Sequence, residues 1–243
     1  MTHLTDQHFL SAIDATWAPQ SQIVQDNWCI RVGAGGGQRV SAATALHADA
    51  DIAVMCAAQR QLGQTPLVMV RGGEDALDAR LAEAEFVKHD PVQVLSIDPK
   101  AWPRAQDDAF KTTRNEHPLA IQQEIWAQDG VGPERLAVMA RVDVPKTYLL
   151  GRDGDTPAGV AFLAVDGHVA MLHAFYVSKN AQGKGVGSRM LRDAADWATA
   201  QGAAALAVLV RDATPQARAL YVKRGMEQVT HYHYRVLETR SET

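Results

Sequence analysis

The stretch Gln182-Gly-Lys-Gly-Val-Gly187 constrains this chain most. It follows a β-type run, Met171 to Val177. It precedes a segment in which Met190, Leu191, Ala194, Trp197 and Ala198 share one helical face, with Arg189, Arg192, Asp193 and Asp196 opposite. That spacing is the signature of an amphipathic helix. Glycines between a strand and a helix remove side chains that would block an anion. The first amides of the helix then point at the ligand, and the helix dipole adds about half a positive charge. The turn therefore predicts a pyrophosphate site, with Lys184 as a mobile cation beside it.

Three ligand types present such a group. A dinucleotide fingerprint begun at Gly183 needs a glycine at 188, where Ser188 stands, and this turn lies deep in the chain after a run of strands. A P-loop ends in Lys followed by Ser or Thr, whereas Lys184 is followed by Gly185. Coenzyme A fits, because its pantetheine arm can run beside a strand edge.

At these residues the chain resembles the GNAT superfamily of acetyl-CoA-dependent N-acetyltransferases. The acetyl-CoA signature Q/R-x-x-G-x-G/A is filled by Gln182, Gly185 and Gly187. Downstream, Ala217-Arg-Ala-Leu-Tyr221 with Arg224-Gly225-Met226 resembles the second motif, A-x-x-L-Y-x-x-x-G-F. Two departures stand out: Thr214 where many relatives carry Asn, and Met226 where Phe is usual. The resemblance implies that Gln182, Gly183, Lys184, Gly185, Val186, Gly187, Ser188 and Thr214 contact the cofactor. It also implies that the backbone of Phe175, Tyr176 and Val177 holds the pantetheine and polarises the thioester carbonyl.

The rest of the chain reads as mixed α/β, with a mostly antiparallel sheet and flanking helices. Asp153-Gly154 and Asp166-Gly167 mark hairpin turns between the runs Thr147 to Gly151, Ala158 to Val165 and His168 to Val177. Ala205 to Val210 is a buried strand, Thr214-Pro215 caps a helix running to Arg224, and Met226 to Leu237 supplies one or two strands. Leu119 to Gln128 is a helix. In the N-terminal half, Trp28 to Val32 and Gln38 to Leu46 read as strands of a hairpin whose tip is Gly33 to Gly37. Ala50 to Leu62 and Glu74 to Phe86 read as helices, and Leu67 to Val70 and Val92 to Ile97 as strands. Asp98 to His117 lacks any sustained period, so residues 1–111 and 112–243 are expected to be separate domains. By resemblance, the first is the degenerate partner of a tandem GNAT pair, without the cofactor turn, and the second is catalytic.

An alkylammonium with pKa near ~10.4 is neutral in about one molecule in a few thousand at pH 7, so a proton acceptor helps the amine attack a thioester. His173 is the candidate. It matches a His of aralkylamine N-acetyltransferases, and a neutral, packed strand histidine is the competing reading. The leaving thiolate wants a hydrogen-bond donor, the role that the second-motif Tyr, here Tyr221, plays by resemblance; simple packing is the alternative. His231 and His233 share a strand face opposite Tyr232 and Tyr234, but have no further ligands nearby, so no metal site is expected.

The expected function is therefore acetyl transfer from acetyl-CoA to a primary amine of a small molecule, by direct attack in a ternary complex. A longer-chain acyltransferase, a non-catalytic CoA-binding sensor and an interaction protein with two degenerate halves are the rivals. A net charge of -4 with scattered Lys and Arg argues against nucleic acid as a partner. No apolar run approaches the roughly 20 residues that span a bilayer. Met1 to Pro19 lacks the pattern of a secretory signal, and Cys29 and Cys56 lack metal or disulfide spacing, so a cytoplasmic location is expected. The acceptor, the acyl-chain preference and the oligomeric state, a homodimer included, stay open.

Overall fold

The computed structural model describes residues 4–103 and 112–238. The first half runs α1 (Asp6–Thr16), β1 (Ser21–Gln25), β2 (Trp28–Val32), α2 (Gln38–Ser41), β3 (Thr44–Ala45), α3 (Ile52–Gln61), β4 (Leu67–Arg71), α4 (Asp75–Glu83) and β5 (Val87–Ile97). The second runs β6 (Thr113–Asn115), α5 (Ala120–Ala127), α6 (Pro133–Ala140), β7 (Lys146–Asp153), β8 (Thr156–Asp166), β9 (Val169–Val177), α7 (Val186–Ala200), β10 (Ala205–Arg211), α8 (Pro215–Val222) and β11 (Glu227–Val236). Residues 104–111 of the expected connection lie outside the described residues.

An eight-stranded sheet in the order β4-β11-β5-β10-β9-β8-β7-β6 forms the centre of the molecule, and β1-β2-β3 form a smaller sheet. Within the large sheet β9 and β10 pair in parallel, with α7 as their crossover, and the other neighbours are antiparallel. The mixed, mostly antiparallel architecture expected from the sequence is the one found. Its sheet also crosses the expected domain boundary: β5, from the first half, lies between β10 and β11.

Both faces of this sheet are covered. Along β8, Ala161 and Leu163 pack with Met190, Leu191 and Ala194 of α7, while Phe162 and Ala164 pack with Ile125 and Trp126 of α5 and Met139 of α6. Two buried faces explain why Ala158 to Val165 is a continuous apolar run rather than an alternating one. The apolar face expected for α7 is the buried one.

Gln38 to Leu46 is not a strand: Gln38–Ser41 is a short helix, and only Thr44–Ala45 pairs with β2. Gly37 turns the chain at φ 99°, and Ser41 Oγ donates back to the Gly37 carbonyl at 3.0 Å, so the glycine tract opens a helix instead of joining two strands. Thr214 occupies the N-cap position of α8 without capping it, because its hydroxyl donates to the Arg211 carbonyl at 2.8 Å. The elements α1, β1, β6 and α6 had no counterpart in the sequence reading.

His233 is committed to the fold. Its Nε2 lies 2.7 Å from Asp78 Oδ1 on α4, and Arg235 donates to the same carboxylate through Nε (2.7 Å) and Nη2 (3.1 Å). Arg235, then His233, holds the Asp78 carboxyl at about 2 against the opposing effect of burial. These contacts fasten a helix of the first half to the last strand of the second.

Candidate active site

The glycine-rich turn lies where the sequence places it. Gly185 is the N-cap residue of α7 in the left-handed conformation, φ 81° and ψ -4°, which glycine adopts without the steric cost of a Cβ. Gly187 serves a different purpose. A Cβ there would stand 3.3 Å from Phe175 Cζ and 3.5 Å from Val177 Cγ2, so its absence lets the first turn of the helix rest on β9. Among the described residues, none of the backbone amides from Gly183 to Ser188 donates a hydrogen bond. A helix start with a row of unspent donors is built for an anion. Around it, Gln182 Nε2 donates to the Val177 carbonyl at 3.0 Å, and Arg224 Nη2 donates to Ser188 Oγ at 2.6 Å. Lys184 Nζ pairs with Asp153 Oδ2 at 2.9 Å, an exposed ion pair of the kind that gives way easily.

The strand leading into the turn is bent. Val160 pairs with Tyr176 and Phe162 with His173, so Ala174 and Phe175 together oppose Ala161 in a β-bulge, and Ala174 takes φ 46°. Trp126 Nε1 donates to the Ala174 carbonyl at 2.7 Å and holds the bulge in place. Pairing between β9 and β10 stops at Leu172 and Val208. Beyond that point the two strands part, and the β9 edge from His173 to Val177 is left free of β10.

A cavity of about 670 Å³ opens in the space between them. Leu172 to Phe175, Val208 to Arg211, and Thr214, Ala217 and Tyr221 line it from the second half; Trp17, Gly36 to Arg39 and His89, Asp90 and Val92 line it from the first. Tyr221 is 7 % exposed, and its hydroxyl makes no hydrogen bond among the described residues. Burial pushes that phenol far above its ordinary value, with Arg224 opposing, so it stays protonated and able to donate. Phe175 faces the cavity, whereas Tyr176 packs on the opposite side of the sheet with Tyr148 and Phe162.

His173 also reaches the cavity wall, but both of its ring nitrogens are engaged. Arg39 Nη1 lies 3.2 Å from Nδ1 and can only donate, so Nδ1 accepts. Nε2 therefore carries the proton and donates to Thr16 Oγ1 at 2.8 Å, and that hydroxyl in turn donates to the Ala12 carbonyl. Burial, and then Arg39, hold the imidazole neutral far below its ordinary value. Trp17 packs against the ring at a centroid distance of 5.2 Å and Phe162 at 6.1 Å.

Sequence reading missed the first half's share of this cavity. Trp17, Arg39 and Asp90 carry no motif, and only the fold brings them to the site. Asp129, in the turn after α5, also lines it. Partial burial raises the Asp129 carboxyl above its usual range, while Arg135 and Arg211 oppose the shift. The one usable signal was the glycine tract before Arg39, had it been read as a helix start.

Comparison with known proteins places these features together. The sequence model of the family described as "Acetyltransferase (GNAT) family" matches residues 99–226, a span that holds the bulge, the turn and Tyr221. An uncharacterized N-acetyltransferase of Bacillus subtilis strain 168, YobR, is 25% identical over 167 residues, covering 66% of this chain and 68% of that one. A GCN5-related N-acetyltransferase from Kribbella flavida has a similar fold, with a TM-score of 0.67 over 97% of this chain and 95% of its own at 16% identity. A tandem GNAT protein from the clavulanic acid biosynthesis pathway, in a structure without AcCoA, matches at a TM-score of 0.57 and 14% identity, over 75% of this chain and 66% of its own.

Proposed function

Since the chain belongs to the GNAT acetyltransferase family, and is thus an acyltransferase, we propose that it moves an acetyl group from acetyl-CoA to a primary amine of a small molecule in a ternary complex. The observation that carries this reading is the row of unspent amides from Gly183 to Ser188, which continues past Val177 from the free edge of β9. The residues present fit acetyl-CoA. Backbone amides and the dipole of α7 suit its diphosphate, Lys184 can leave Asp153 to join them, and the edge from Phe175 to Val177 suits the amide-rich pantetheine.

When bound, that co-substrate supplies a thioester: the acceptor nitrogen bonds to the acetyl carbon as the C–S bond breaks, one proton leaves the nitrogen and one reaches the sulfur. Tyr221 is the donor to the sulfur, since its buried hydroxyl is protonated and uncommitted. His173, expected to accept the amine's proton, would have to give up its hydrogen bond from Arg39 and charge beside a guanidinium. We therefore assign it a positioning role and assign proton acceptance, through cavity water, to Asp129, which makes no ion pair within 4.0 Å among the described residues. The first half supplies cavity wall rather than a second cofactor turn, in keeping with two GNAT-like halves in tandem.

The test is thiol release from acetyl-CoA across a panel of amines, beside calorimetric titration with acetyl-, propionyl- and longer acyl-CoAs. Acetyl-CoA binding with amine-dependent thiol release is expected. Tight binding without release on any amine would instead make the chain a CoA sensor, and preference for a longer acyl group would replace the donor.

A further inference from the structure

The cavity holds a cation that no anion meets among the described residues. Arg39 is half-buried in its wall, and its only hydrogen bond among the described residues is the one from Nη1 to His173, a neutral ring. No carboxylate among the described residues lies within ion-pair distance of it, although the chain as a whole is acidic, and its Nε is enclosed with no acceptor. Arg31 and Arg71, by contrast, share Asp14 at 2.8 and 3.0 Å. A partly desolvated cation of this kind is costly unless an anion meets it, and a guanidinium is the side chain best shaped to meet a carboxylate.

The guanidinium is also held in place. Its Cζ lies 5.4 Å from the centroid of the Trp17 ring, and the hydrogen bond to His173 fixes its rotation. Little side-chain freedom is then lost when a ligand binds. Arg135, on α6, stands on the same cavity near Gly37 and makes no ion pair within 4.0 Å among the described residues. The acidic groups on this cavity, Asp90 and Asp129, leave both arginines unpaired. A volume of about 670 Å³ is in the range of small-molecule sites.

Resting on the transferase reading above, we propose that the acceptor is an amine that itself carries a carboxylate, an amino-acid-like zwitterion, and that Arg39 binds that carboxylate. Arg39 sets which amines enter, and takes no part in the transfer itself. His173 and Trp17 act through it, as the two groups that hold its guanidinium toward the cavity.

The experiment compares amino acids, each beside its carboxamide and its decarboxylated amine, at saturating acetyl-CoA, with the wild-type chain and with Arg39→Gln and Arg39→Lys. Acetyl-CoA binding and the melting temperature are measured on the same samples. The wild-type chain should favour the carboxylated member of a set by about tenfold or more in kcat/KM. Arg39→Gln should bring that ratio close to one, through a KM for the carboxylated amine that rises about 10- to 100-fold, and Arg39→Lys should restore part of it. Equal or better use of the neutral amines by the wild-type chain would overturn the proposal, and so would a preference that survives Arg39→Gln. A fall in kcat common to every amine would mean that Arg39 acts through His173 and not on a carboxylate. Weakened acetyl-CoA binding in Arg39→Gln would move the anion partner to the cofactor. Failure of the wild-type chain to bind acetyl-CoA at all would instead sink the transferase reading.

Discussion

Arg39 Nη1 meets His173 Nδ1 at 3.2 Å across 134 residues of sequence, and this contact joins the two halves of the chain at the cavity wall. It places a permanent cation against an imidazole that is buried and neutral. Much of the site's chemistry follows from that pairing.

Stability should fall in mild acid because of it. His173 stays neutral in the folded protein well below its ordinary value, whereas the unfolded chain takes up the proton near pH 6.5. The unfolded state therefore binds more protons below that pH. Stability is complete above about 6.5 and declines as pH drops, by up to about 1.4 kcal/mol per pH unit for this group. His233 shifts in the same direction. Urea titrations from pH 7.5 to 5 should show a smaller slope in His173→Gln than in the wild-type chain, and an unchanged slope would contradict the neutral assignment.

A second acid-sensitive contact lies farther down. Asp78, held at about 2 by Arg235 and His233, gives stability that is present above its ordinary pKa and lost as pH falls toward 2. Asp78→Asn should cost about 1–2 kcal/mol at pH 7, a range discounted for the partial exposure of the group. The gap between the two proteins should narrow between pH 4 and 2 in chemical denaturation.

Gly185→Ala should damage the cofactor turn. An alanine at φ 81° costs about 1–2 kcal/mol, and its Cβ would stand 2.8 Å from Arg189 Nη1. The melting temperature should drop by roughly 2–8 °C. If the helix start shifts to relieve the strain, acetyl-CoA affinity should weaken about tenfold or more in calorimetry. Wild-type affinity in this variant would show that the turn's geometry is not what grips the ligand.

Tyr221→Phe and Asp129→Asn separate the two proton transfers. Removal of the Tyr221 hydroxyl should lower kcat about 100-fold with little change in the KM for acetyl-CoA. Asp129→Asn should lower kcat/KM for the amine by a similar factor and flatten the acidic limb of its pH profile. His173→Ala, a positioning change, should act mainly on the amine's KM. A kcat loss in His173→Ala larger than that in Asp129→Asn would return the base to His173.

The features set by local rules were legible in the sequence. The α7 face, the β7 to β9 meander with its Asp-Gly turns and the glycines at 183, 185 and 187 each depend on neighbours within a few residues. Gln38-Arg-Val-Ser looked extended because Val40 favours strands, yet the turn at Gly37 and the burial of Val40 make it helical. The insertion of β5 between β10 and β11 leaves no local trace, since it depends on pairing across more than a hundred residues. The meeting of Arg39, Trp17 and His173 depends on the same long-range arrangement, and so does the cavity that they line.

Whether the start of α7 grips the co-substrate is read by titrating isotopically labelled protein with acetyl-CoA and following amide chemical shifts. The largest changes should fall on Gly183 through Ser188, with further changes along Phe175 to Val177. Saturable binding that leaves those amides unmoved, with the perturbation elsewhere, would contradict that grip.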